Sequence, residues 1–449
     1  MNRFAFALAT GAIAATAGAR ILTVTAAGPG ASLAAALSEA RHGDLVLVHG
    51  GVHRGNFVLD HSIALVGSDG ATLDGGGQGT VLRVTAPNTI IEGLTLVHSG
   101  VELQDEDSGI LLESDGNKLR DLKLDDVLYG VYFKAASENQ VVGLTVRGKS
   151  QLASGARGAC LHLWNSPMNV LARCDISYGR DGIYVDHSPM NTVLANVVHH
   201  TRYGLHYMSS DDNLFEGNRF ENNVAGAAVM YSHKVSFRKN VFAHNRGFDS
   251  LGLLLQQCDD CTAEGNLMIG NDRGLFIEGS SRVYFRGNAF VANDAAIQLY
   301  ASTMGATFTG NNFIDNISSV LLVGGRTDTR WAVDGVGNFW SDYRGIDLDG
   351  DGVGERPHEL SDLYEHLIED KPLLRIYAGS PAAASLALAD TLFPVLAKKG
   401  EEDPLPATAA FPFSLPSAPP SPLPGRHAAA ASLLVAALAA AVLIIGRWS

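Results

Sequence analysis

The chain has 449 residues, of which 33 are Lys or Arg and 47 are Asp or Glu, giving a formal net charge of −14. This acidic balance argues against binding to nucleic acid, because neutralising phosphates needs clustered cationic side chains. The length alone would suggest two or three domains, but a chain built from repeats can reach this length as a single solenoid.

The N-terminal segment has the pattern of a secretory signal. Arg3 precedes an apolar, alanine-rich run from Phe4 to about Ala17, and small residues follow up to Ala19. We therefore predict a signal peptide over 1–19, with cleavage after Ala19 and export of the rest. An N-terminal membrane anchor is the alternative, but the run is shorter than the roughly 20 residues that span a bilayer.

Two segments are predicted to close the ends of one repeat domain over 20–376. Residues 31–41 are helix formers with apolar spacing, and the segment 326–376 loses the repeat. An open solenoid end exposes apolar core and strand edges, so we expect the first segment to form a helical cap and the second to cover the far end.

The region between these caps contains two repeats that share one register, with a period of about 22 residues that is typical of one rung of a solenoid. Asparagines recur at this spacing, with one longer step in the middle: Asn196, Asn218, Asn240, Asn266, Asn288 and Asn311. Glycines that head short apolar strands recur with the same spacing and the same longer step: Gly182, Gly204, Gly226, Gly252 and Gly274. The shared register predicts the rungs of an all-β, right-handed parallel β-helix. Asparagines on successive rungs are expected to hydrogen-bond their side-chain amides into a ladder.

Alternation along each strand predicts which side chains face the core and which face outward. The predicted inner column is Ile183, Leu205, Ala227, Leu253 and Leu275. The first predicted outward column is His162, Tyr184, His206, Ala228, Leu254 and Phe276. The second is Trp164, Asp186, Met208, Met230, Gln256 and Glu278.

The second outward column predicts a metal site. It places Met208 and Met230 on adjacent rungs, about 4.8 Å apart, with His206 on the same strand as Met208. Thioether and imidazole suit copper(I), so we predict that these three side chains bind copper. The accessory groups predicted nearby are Asp186, His187, His162 and His233. The simpler interpretation is that surface methionines pack against a covering loop or a partner.

Four cysteines in a chain expected to be exported permit one or two disulfides. They are Cys160, Cys174, Cys258 and Cys261. The Cys258 and Cys261 pair could form a disulfide, bind copper as thiolates, or lie as two thiols in a turn, and we rank these interpretations in that order.

Alternating carboxylates occur within the predicted far cap, at Asp347, Asp349 and Asp351. Their spacing is that of the first half of an EF-hand loop, but His358 stands where the bidentate Glu would be. The sequence is compatible with a weak structural calcium site in the cap and equally with a polar Asp-Gly turn.

The rest of the chain is predicted to connect the solenoid to a membrane. We expect a connecting segment over 377–403, a proline-rich tether over 404–427 that adds nothing to the core, and a transmembrane helix over 428–446. Arg447 follows the uncharged run and favours a cytoplasmic end. The body would then be periplasmic and anchored to the inner membrane.

Several phrases taken together resemble the NosD family, the periplasmic β-helix proteins required for maturation of nitrous oxide reductase. They are Leu161–Asn165, Ser177–Ile183, His206–Met208, Gly337–Asp342 and Asp347–Gly352. The resemblance covers about residues 32–376. It implies a non-enzymatic assembly factor that works with an ABC-type permease, a cytoplasmic ATPase and a copper chaperone. Such a factor would supply copper, with or without sulfide, to nitrous oxide reductase.

A polysaccharide lyase, hydrolase or epimerase, or a carbohydrate-binding protein, is the main alternative, because parallel β-helices often bind extended sugars. Asp186 and Glu278 are predicted to lie four rungs apart, roughly 19 Å, beyond the ~5 to 9.5 Å of a hydrolytic carboxyl pair. Turn carboxylates keep this alternative open: Asp211, Asp212, Asp259 and Asp260. A passive surface adhesin is a third interpretation, and it leaves the methionine and histidine group without a role.

Overall fold

The computed structural model describes residues 19–26, 32–68, 70–247, 249–360 and 401–414, and four isolated residues between 377 and 385. Within these residues the chain winds into a right-handed parallel β-solenoid of about 13 turns, which confirms the predicted fold class. Each complete rung contributes one strand to each of three long parallel sheets, called A, B and C in the order in which a rung meets them.

The strands are short, mostly three to six residues, because the chain turns a corner after each one. Sheet A contains 13 strands: Ile21–Val24, Leu45–Val48, Ala64–Gly67, Ile90–Glu92, Lys118–Arg120, Gln140–Val142, Val170–Ala172, Thr192–Leu194, Leu214–Glu216, Ser236–Arg238, Thr262–Glu264, Tyr284–Arg286 and Thr307–Thr309. Sheet B contains 13 strands: Gly51–Arg54, Ala71–Asp74, Thr95–Val97, Lys123–Val127, Thr145–Gly148, Asp175–Ser177, Val197–His199, Arg219–Glu221, Val241–Ala243, Leu267–Ile269, Ala289–Val291, Asn312–Ile314 and Phe339–Trp340. Sheet C contains 12 strands: Phe57–Leu59, Leu82–Val84, Ser108–Leu112, Tyr129–Lys134, Leu161–Trp164, Asp181–Asp186, Tyr203–Met208, Ala225–His233, Leu251–Asp259, Arg273–Glu278, Ala295–Tyr300 and Ser318–Val323.

The core is a stack of identical positions from successive rungs. The predicted inner column is confirmed, since its members pair in register and none is exposed: Ile183, Leu205, Ala227, Leu253 and Leu275. Aromatic rings also stack along the axis, at centroid distances of 4.6 Å between Phe285 and Phe308 and 4.8 Å between Phe290 and Phe313. Burial of these apolar columns supplies the main driving force for folding.

Glycine recurs at the start of the sheet C strands because neighbouring backbones approach closely there. A Cβ atom on Gly182 would lie 2.6 Å from the carbonyl oxygen of Gly204, and one on Gly204 would lie 2.5 Å from that of Gly226. A side chain at either position would therefore push two rungs apart. This contact recurs once per rung, so the glycines repeat with the spacing of the rungs.

The predicted asparagine ladder is confirmed at the corner between sheets A and B. Each Nδ2 donates to Oδ1 of the asparagine on the next rung at 2.9 to 3.0 Å, and the ladder continues beyond the predicted members to Asn338. A second ladder, which was not predicted, runs along the corner between sheets B and C at 2.9 to 3.1 Å: Asn245, Asn271, Asn293 and Asn316. The ladders satisfy polar groups that the turns bury.

The first rung is covered by the helix Leu33–Glu39, which confirms the predicted helical cap. Ser32 is its N-cap, and its hydroxyl accepts a hydrogen bond from the backbone of Ala35. The helix buries an apolar face that joins the main core: Leu33, Ala36 and Leu37. A 3-10 turn lies at Ser154–Ala156.

The far end is closed by two tryptophans from the predicted cap region. Trp331 stacks on Phe308 at 4.8 Å and Trp340 stacks on Phe313 at 4.0 Å, so each indole covers an aromatic column of the core. A two-residue antiparallel pairing of His358–Glu359 with Glu402–Asp403 then brings the later chain back onto this end.

Residues 401–414, called the C-terminal strap below, correct one prediction. The tether was expected to begin at residue 404 and to add nothing to the core, yet Ala407 within it is 8% exposed. Asp403, the last residue of the predicted connecting segment, is fully buried. Glu401 accepts a hydrogen bond from the indole nitrogen of Trp331 at 2.7 Å, and Asp403 accepts one from that of Trp340 at 3.0 Å. The strap is required because the cap tryptophans bury N–H groups that need acceptors.

Three predicted segments lie mainly outside the described residues. They are the signal peptide 1–19, of which only Ala19 is described, most of the connecting segment 377–403, and the transmembrane helix 428–446. Among the residues that the structure describes, no helix is long and apolar enough to cross a membrane.

Candidate metal site on sheet C

The two outward columns of sheet C have the predicted register. Tyr184 pairs with His206, Asp186 with Met208, and Met208 with Met230. Met208 and Met230 therefore lie on the same face of adjacent rungs, and His206 shares that face two residues before Met208. The structure thus brings together the three predicted copper ligands at the outer surface.

A buried carboxylate orients the imidazole of His206. Its Nδ1 lies 3.1 Å from Oδ2 of Asp181, and Arg202 donates to both oxygens of Asp181 at 3.0 Å. Burial alone would raise the pKa of Asp181, but the hydrogen bond with His206 and the charge of Arg202 hold that pKa below its ordinary value. With Nδ1 engaged by a carboxylate, Nε2 of His206 is left to bind a metal, the arrangement typical of histidine ligands.

Met208 and Met230 are half-buried, as is His206. The hydroxyl of Tyr184, one rung earlier, contacts Sδ of Met208 at 3.9 Å. Partial burial restricts water around the sulfur atoms, while the open outer face leaves them accessible to an incoming ion. His206, Met208 and Met230 offer donor atoms of the kind that soft cations prefer, and copper binding by this group stays a prediction.

An aromatic stack packs against one side of this group. The ring of His162 lies 4.3 Å from Tyr132 and 4.5 Å from Tyr184, and Tyr184 lies 4.6 Å from His206. Burial lowers the pKa of His162 to about 4, so this imidazole is neutral at neutral pH. Its buried Nδ1 has no hydrogen-bond partner among the described residues.

The accessory residues have other contacts in the structure. Nδ1 of His187 lies 2.7 Å from the carboxylate of Asp186. His233 contacts Asp211 at 3.3 Å and Asp259 at 3.9 Å. The accessory role of these residues and of His162 stays a prediction.

The cysteines differ from the favoured disulfide prediction. All four are free, buried thiols: Cys160, Cys174, Cys258 and Cys261. Burial raises the pKa of Cys160 and of Cys174 to about 12. The contact with Cys261 and burial raise the pKa of Cys258. Cys258 and Cys261 face inward at the corner after sheet C, where the core encloses them, so the structure favours two thiols in a turn.

The three carboxylates of the acidic loop lie close together, as the sequence predicted. Ligand oxygens of Asp347, Asp349 and Asp351 lie within 4.8 Å of one another. Backbone N–H groups of Gly350 and Gly352 donate to Asp347 at 2.7 and 2.9 Å and lower the pKa of that carboxyl. An Asp-Gly turn needs the same hydrogen bonds, so calcium binding here stays a prediction.

Asp181 is the residue of this candidate site that the sequence interpretation missed. It stands immediately before a repeat glycine, where the corresponding residues on later rungs are Tyr203, Ala225, Leu251 and Arg273. The available signal was an acidic residue at a repeated position where the later rungs carry neutral or basic residues. Its buried position, 3% exposed, shows why the carboxylate needs both Arg202 and His206 as partners.

Comparisons with known proteins agree with this architecture. The model of the family described as periplasmic copper-binding protein (NosD) matches residues 142–345. The probable ABC transporter binding protein NosD of Pseudomonas aeruginosa is 31% identical over 388 residues, covering 83% of this chain and 89% of its own. That of Stutzerimonas stutzeri is 29% identical over 370 residues, covering 79% and 84%.

A solved structure shows likeness of fold alone. The catalytic domain of a GH87 alpha-1,3-glucanase superposes with a TM-score of 0.55 at 10% identity, covering 72% of this chain and 69% of its own. The sequence similarity, in contrast, extends across most of both chains, and the family model spans the sheet C strands that carry His206, Met208 and Met230. The chain therefore belongs to the NosD family of periplasmic copper-binding proteins.

Proposed function

We propose that this protein is a periplasmic accessory protein that binds copper(I) through His206, Met208 and Met230 and passes it to a partner. The observation that carries the proposal is the register of sheet C, which places two thioethers and an oriented imidazole on one face of adjacent rungs. Thioethers carry no charge and prefer soft ions, so the group favours copper(I) over hard cations.

The rigid solenoid gives this group a fixed geometry. Asp181 holds the imidazole through Nδ1, and hydrogen bonds between rungs fix the two methionine backbones. The outer face is open to other ligands, so copper can leave by stepwise exchange of donor atoms without a change of oxidation state. Such a site suits delivery of copper rather than its permanent storage.

The proposed partners follow from the family. Relatives are named as probable ABC transporter binding proteins, so we propose that this chain associates with an ABC-type permease and its ATPase. A copper chaperone would load the site and nitrous oxide reductase would receive the copper, with or without sulfide. In this proposal the protein is an assembly factor and catalyses no reaction of its own.

The carbohydrate alternative has weaker support from the site. Asp186, Met208, Met230, Gln256 and Glu278 follow one another in register, so the two carboxylates of this column lie four rungs apart. At ~4.8 Å per rung that separation is too large for a hydrolytic pair. The likeness to a glucanase shows the shared solenoid fold.

The copper proposal predicts that Met208→Leu with Met230→Leu weakens copper(I) binding at least tenfold while the fold is kept. Leucine conserves approximate volume but removes the sulfur lone pairs, so lost affinity reports ligation. Adding His206→Ala should weaken binding further, although coupled ligands need not contribute additively. The measurement is a competition titration against a copper(I) chelator under reducing conditions.

The matched control exchanges two exposed methionines outside the group, Met190→Leu with Met304→Leu, which should leave affinity unchanged. Circular dichroism and the unfolding midpoint check that each variant is folded. Wild-type affinity in the triple variant would contradict the proposed site and would make Cys258 and Cys261 the next pair to test.

We also propose that residues 428–446 anchor the protein to the inner membrane. Deleting residues 425–449 should then release a folded solenoid into the soluble periplasmic fraction, because every described contact of the domain lies before residue 415. Fractionation of washed membranes from cells with and without the permease measures this. A truncated chain that stays on membranes only when the permease is present would show that the permease is the main attachment.

A further inference from the structure

Two imidazoles meet on the outer side of the solenoid, at the corner between sheets B and C. His199 is the last residue of the strand Val197–His199, and His200 follows it at the corner. Their Nδ1 atoms lie 2.7 Å apart. His199 is half-buried and His200 is exposed, so solvent reaches the pair. Ser177 and Glu221 occupy the position of His199 on the adjacent rungs, so the paired imidazoles are a feature of this rung and not of the repeat.

A carboxylate determines which of the two rings donates in this contact. Nε2 of His199 lies 3.0 Å from Oδ1 of Asp175 on the preceding rung. An ionised carboxylate only accepts hydrogen bonds, so the proton of the neutral His199 ring lies on Nε2. Nδ1 of His199 therefore presents its lone pair to His200, whose Nδ1 donates. A carboxylate on one ring nitrogen, with the other nitrogen free to bind, is the usual arrangement of a histidine metal ligand.

The second ring is held by an aromatic neighbour. Tyr178 stands at the same corner one rung earlier, and its ring stacks on that of His200 with centroids 5.4 Å apart and planes inclined by 22°. The guanidinium of Arg147 lies over the ring of Tyr178 at 4.9 Å. Both imidazoles are thus oriented in the structure, which lowers the entropic cost of binding an ion between them.

The two nitrogens need only a small adjustment to bind one ion together. Imidazole nitrogens bind zinc at about 2.0 to 2.1 Å, which places two of them roughly 3.3 Å apart around a tetrahedral ion. The present contact would widen by about 0.6 Å, a shift that partly exposed side chains can make. The proton on Nδ1 of His200 moves to its Nε2, so both rings stay neutral. Imidazole suits divalent zinc, nickel and copper, and copper(II) binds most tightly in this series.

We infer that His199 and His200 form a second metal site, which prefers divalent ions of this class and binds copper(II) most tightly, with Asp175 as a positioning residue. The inference does not depend on the proposed copper(I) group, whose thioether donors suit a softer ion. Water fills the remaining coordination positions, so the bound ion can exchange. The strand Tyr203–Met208 begins three residues after His200, so the two sites share one rung and lie on neighbouring faces of the solenoid.

The test titrates copper(II) into the full-length protein in glycine-buffered solution without reductant and follows binding by electron paramagnetic resonance. We expect the tightest ion to show two nitrogen ligands. His199→Ala and His200→Asn should each weaken binding about tenfold or more. Both replacements fit the corner, because Ala243 and Asn222 occupy the corresponding positions on later rungs. The backbone φ is +56° at His200 and +55° at Asn222.

The matched control is His244→Ala. His244 is exposed at the same corner two rungs later, with a φ of +52°, but Ala243 precedes it and offers no second imidazole. This variant should bind copper(II) as the natural protein does. Met208→Leu with Met230→Leu should also leave copper(II) affinity unchanged, which separates the imidazole pair from the proposed copper(I) group.

Asp175→Asn tests the positioning role. We expect weaker copper(II) binding, and we expect the metal-free ring of His199 to populate both tautomers. Nitrogen NMR of the imidazole distinguishes the tautomers, and a loss of packing alone would not change them. An unchanged Nε2–H tautomer in Asp175→Asn would contradict this role.

Four results would overturn the metal site. Natural affinity in His199→Ala combined with His200→Asn would place copper(II) elsewhere. An equal loss in His244→Ala would show an adventitious ion only, bound by exposed single imidazoles. A loss in the double leucine variant would assign copper(II) to the thioether group. A single nitrogen ligand in the spectrum of the natural protein would exclude binding by both rings.

Discussion

Replacing Asn266 with alanine is expected to destabilise the solenoid by about 3 to 5 kcal/mol, because several buried polar groups lose their partners together. Oδ1 of Asn266 accepts from the backbone nitrogen of Asn240 at 2.8 Å and from its Nδ2 at 3.0 Å. Nδ2 of Asn266 donates to the carbonyl oxygen of Phe237 and to Oδ1 of Asn288, both at 2.9 Å. No water can replace the amide at this fully buried corner without opening the stack.

The measurement is the urea midpoint of the exported domain together with hydrogen exchange. Exchange matters because a solenoid is stabilised rung by rung and need not unfold in one step. The matched control is Glu264→Ala, two residues away, which removes a partly exposed contact of 3.8 Å with Arg238. That contact should be worth less than about 1 kcal/mol. Similar midpoints for the two variants would show that the ladder adds little to stability.

Asp403→Ala is expected to detach the C-terminal strap at a cost of about 3 kcal/mol, since buried donors to a carboxylate lose their acceptor. Oδ2 of Asp403 accepts from the backbone of Asn338 at 2.8 Å, from its Nδ2 at 3.1 Å and from the indole nitrogen of Trp340 at 3.0 Å. Oδ1 accepts from the backbone of Leu405 at 3.0 Å. Hydrogen exchange should rise over 401–414 and over the last rung, while earlier rungs stay protected.

The pH dependence of the free energy of unfolding separates the contribution of the Asp403 charge from that of its hydrogen bonds. Burial raises the pKa of Asp403 above its ordinary value of 3.8. The folded chain therefore loses stability as pH rises from about 4 through the raised pKa, because ionisation is more costly in the fold than in the unfolded chain. Asp403→Asn should abolish this loss of stability.

The matched control for the hydrogen-exchange experiment is Glu402→Ala at the exposed neighbouring position, which should leave hydrogen exchange of the strap unchanged. Unchanged hydrogen exchange in Asp403→Ala would contradict the role of Asp403 in holding the strap on the end of the solenoid.

The repeat made the solenoid and the ligand positions predictable from sequence. Alternation within a strand and the regular spacing between rungs are local properties, so they were sufficient to place Met208 beside Met230 and His206 on the same strand. Side-chain partners on adjacent rungs were harder to predict. Asp181 belongs to no repeated pattern, so its hydrogen bond with His206 appeared only once the corner before the strand was in place.

The strap and the cysteines were mispredicted for two different physical reasons. Phe411 contacts Asn312 across 99 residues, and such a contact leaves no periodic signal in the sequence. The proline-rich composition of the strap is typical of a linker, although the strap packs in an ordered conformation against the end of the solenoid. For Cys258 and Cys261, spacing and export favoured a disulfide, but spacing does not reveal that both thiols face the core.

The proposed copper ligands come from two neighbouring rungs, and this division constrains how the gene can change length. Gain or loss of a whole repeat unit elsewhere in the array would move the intact site along the axis by one interval of about 4.8 Å. A unit gained between Met208 and Met230 would instead double their spacing to about 10 Å and separate the thioethers. An unrelated repeat unit inserted at the boundary between these two rungs would therefore preserve the fold and still separate the two proposed thioether ligands.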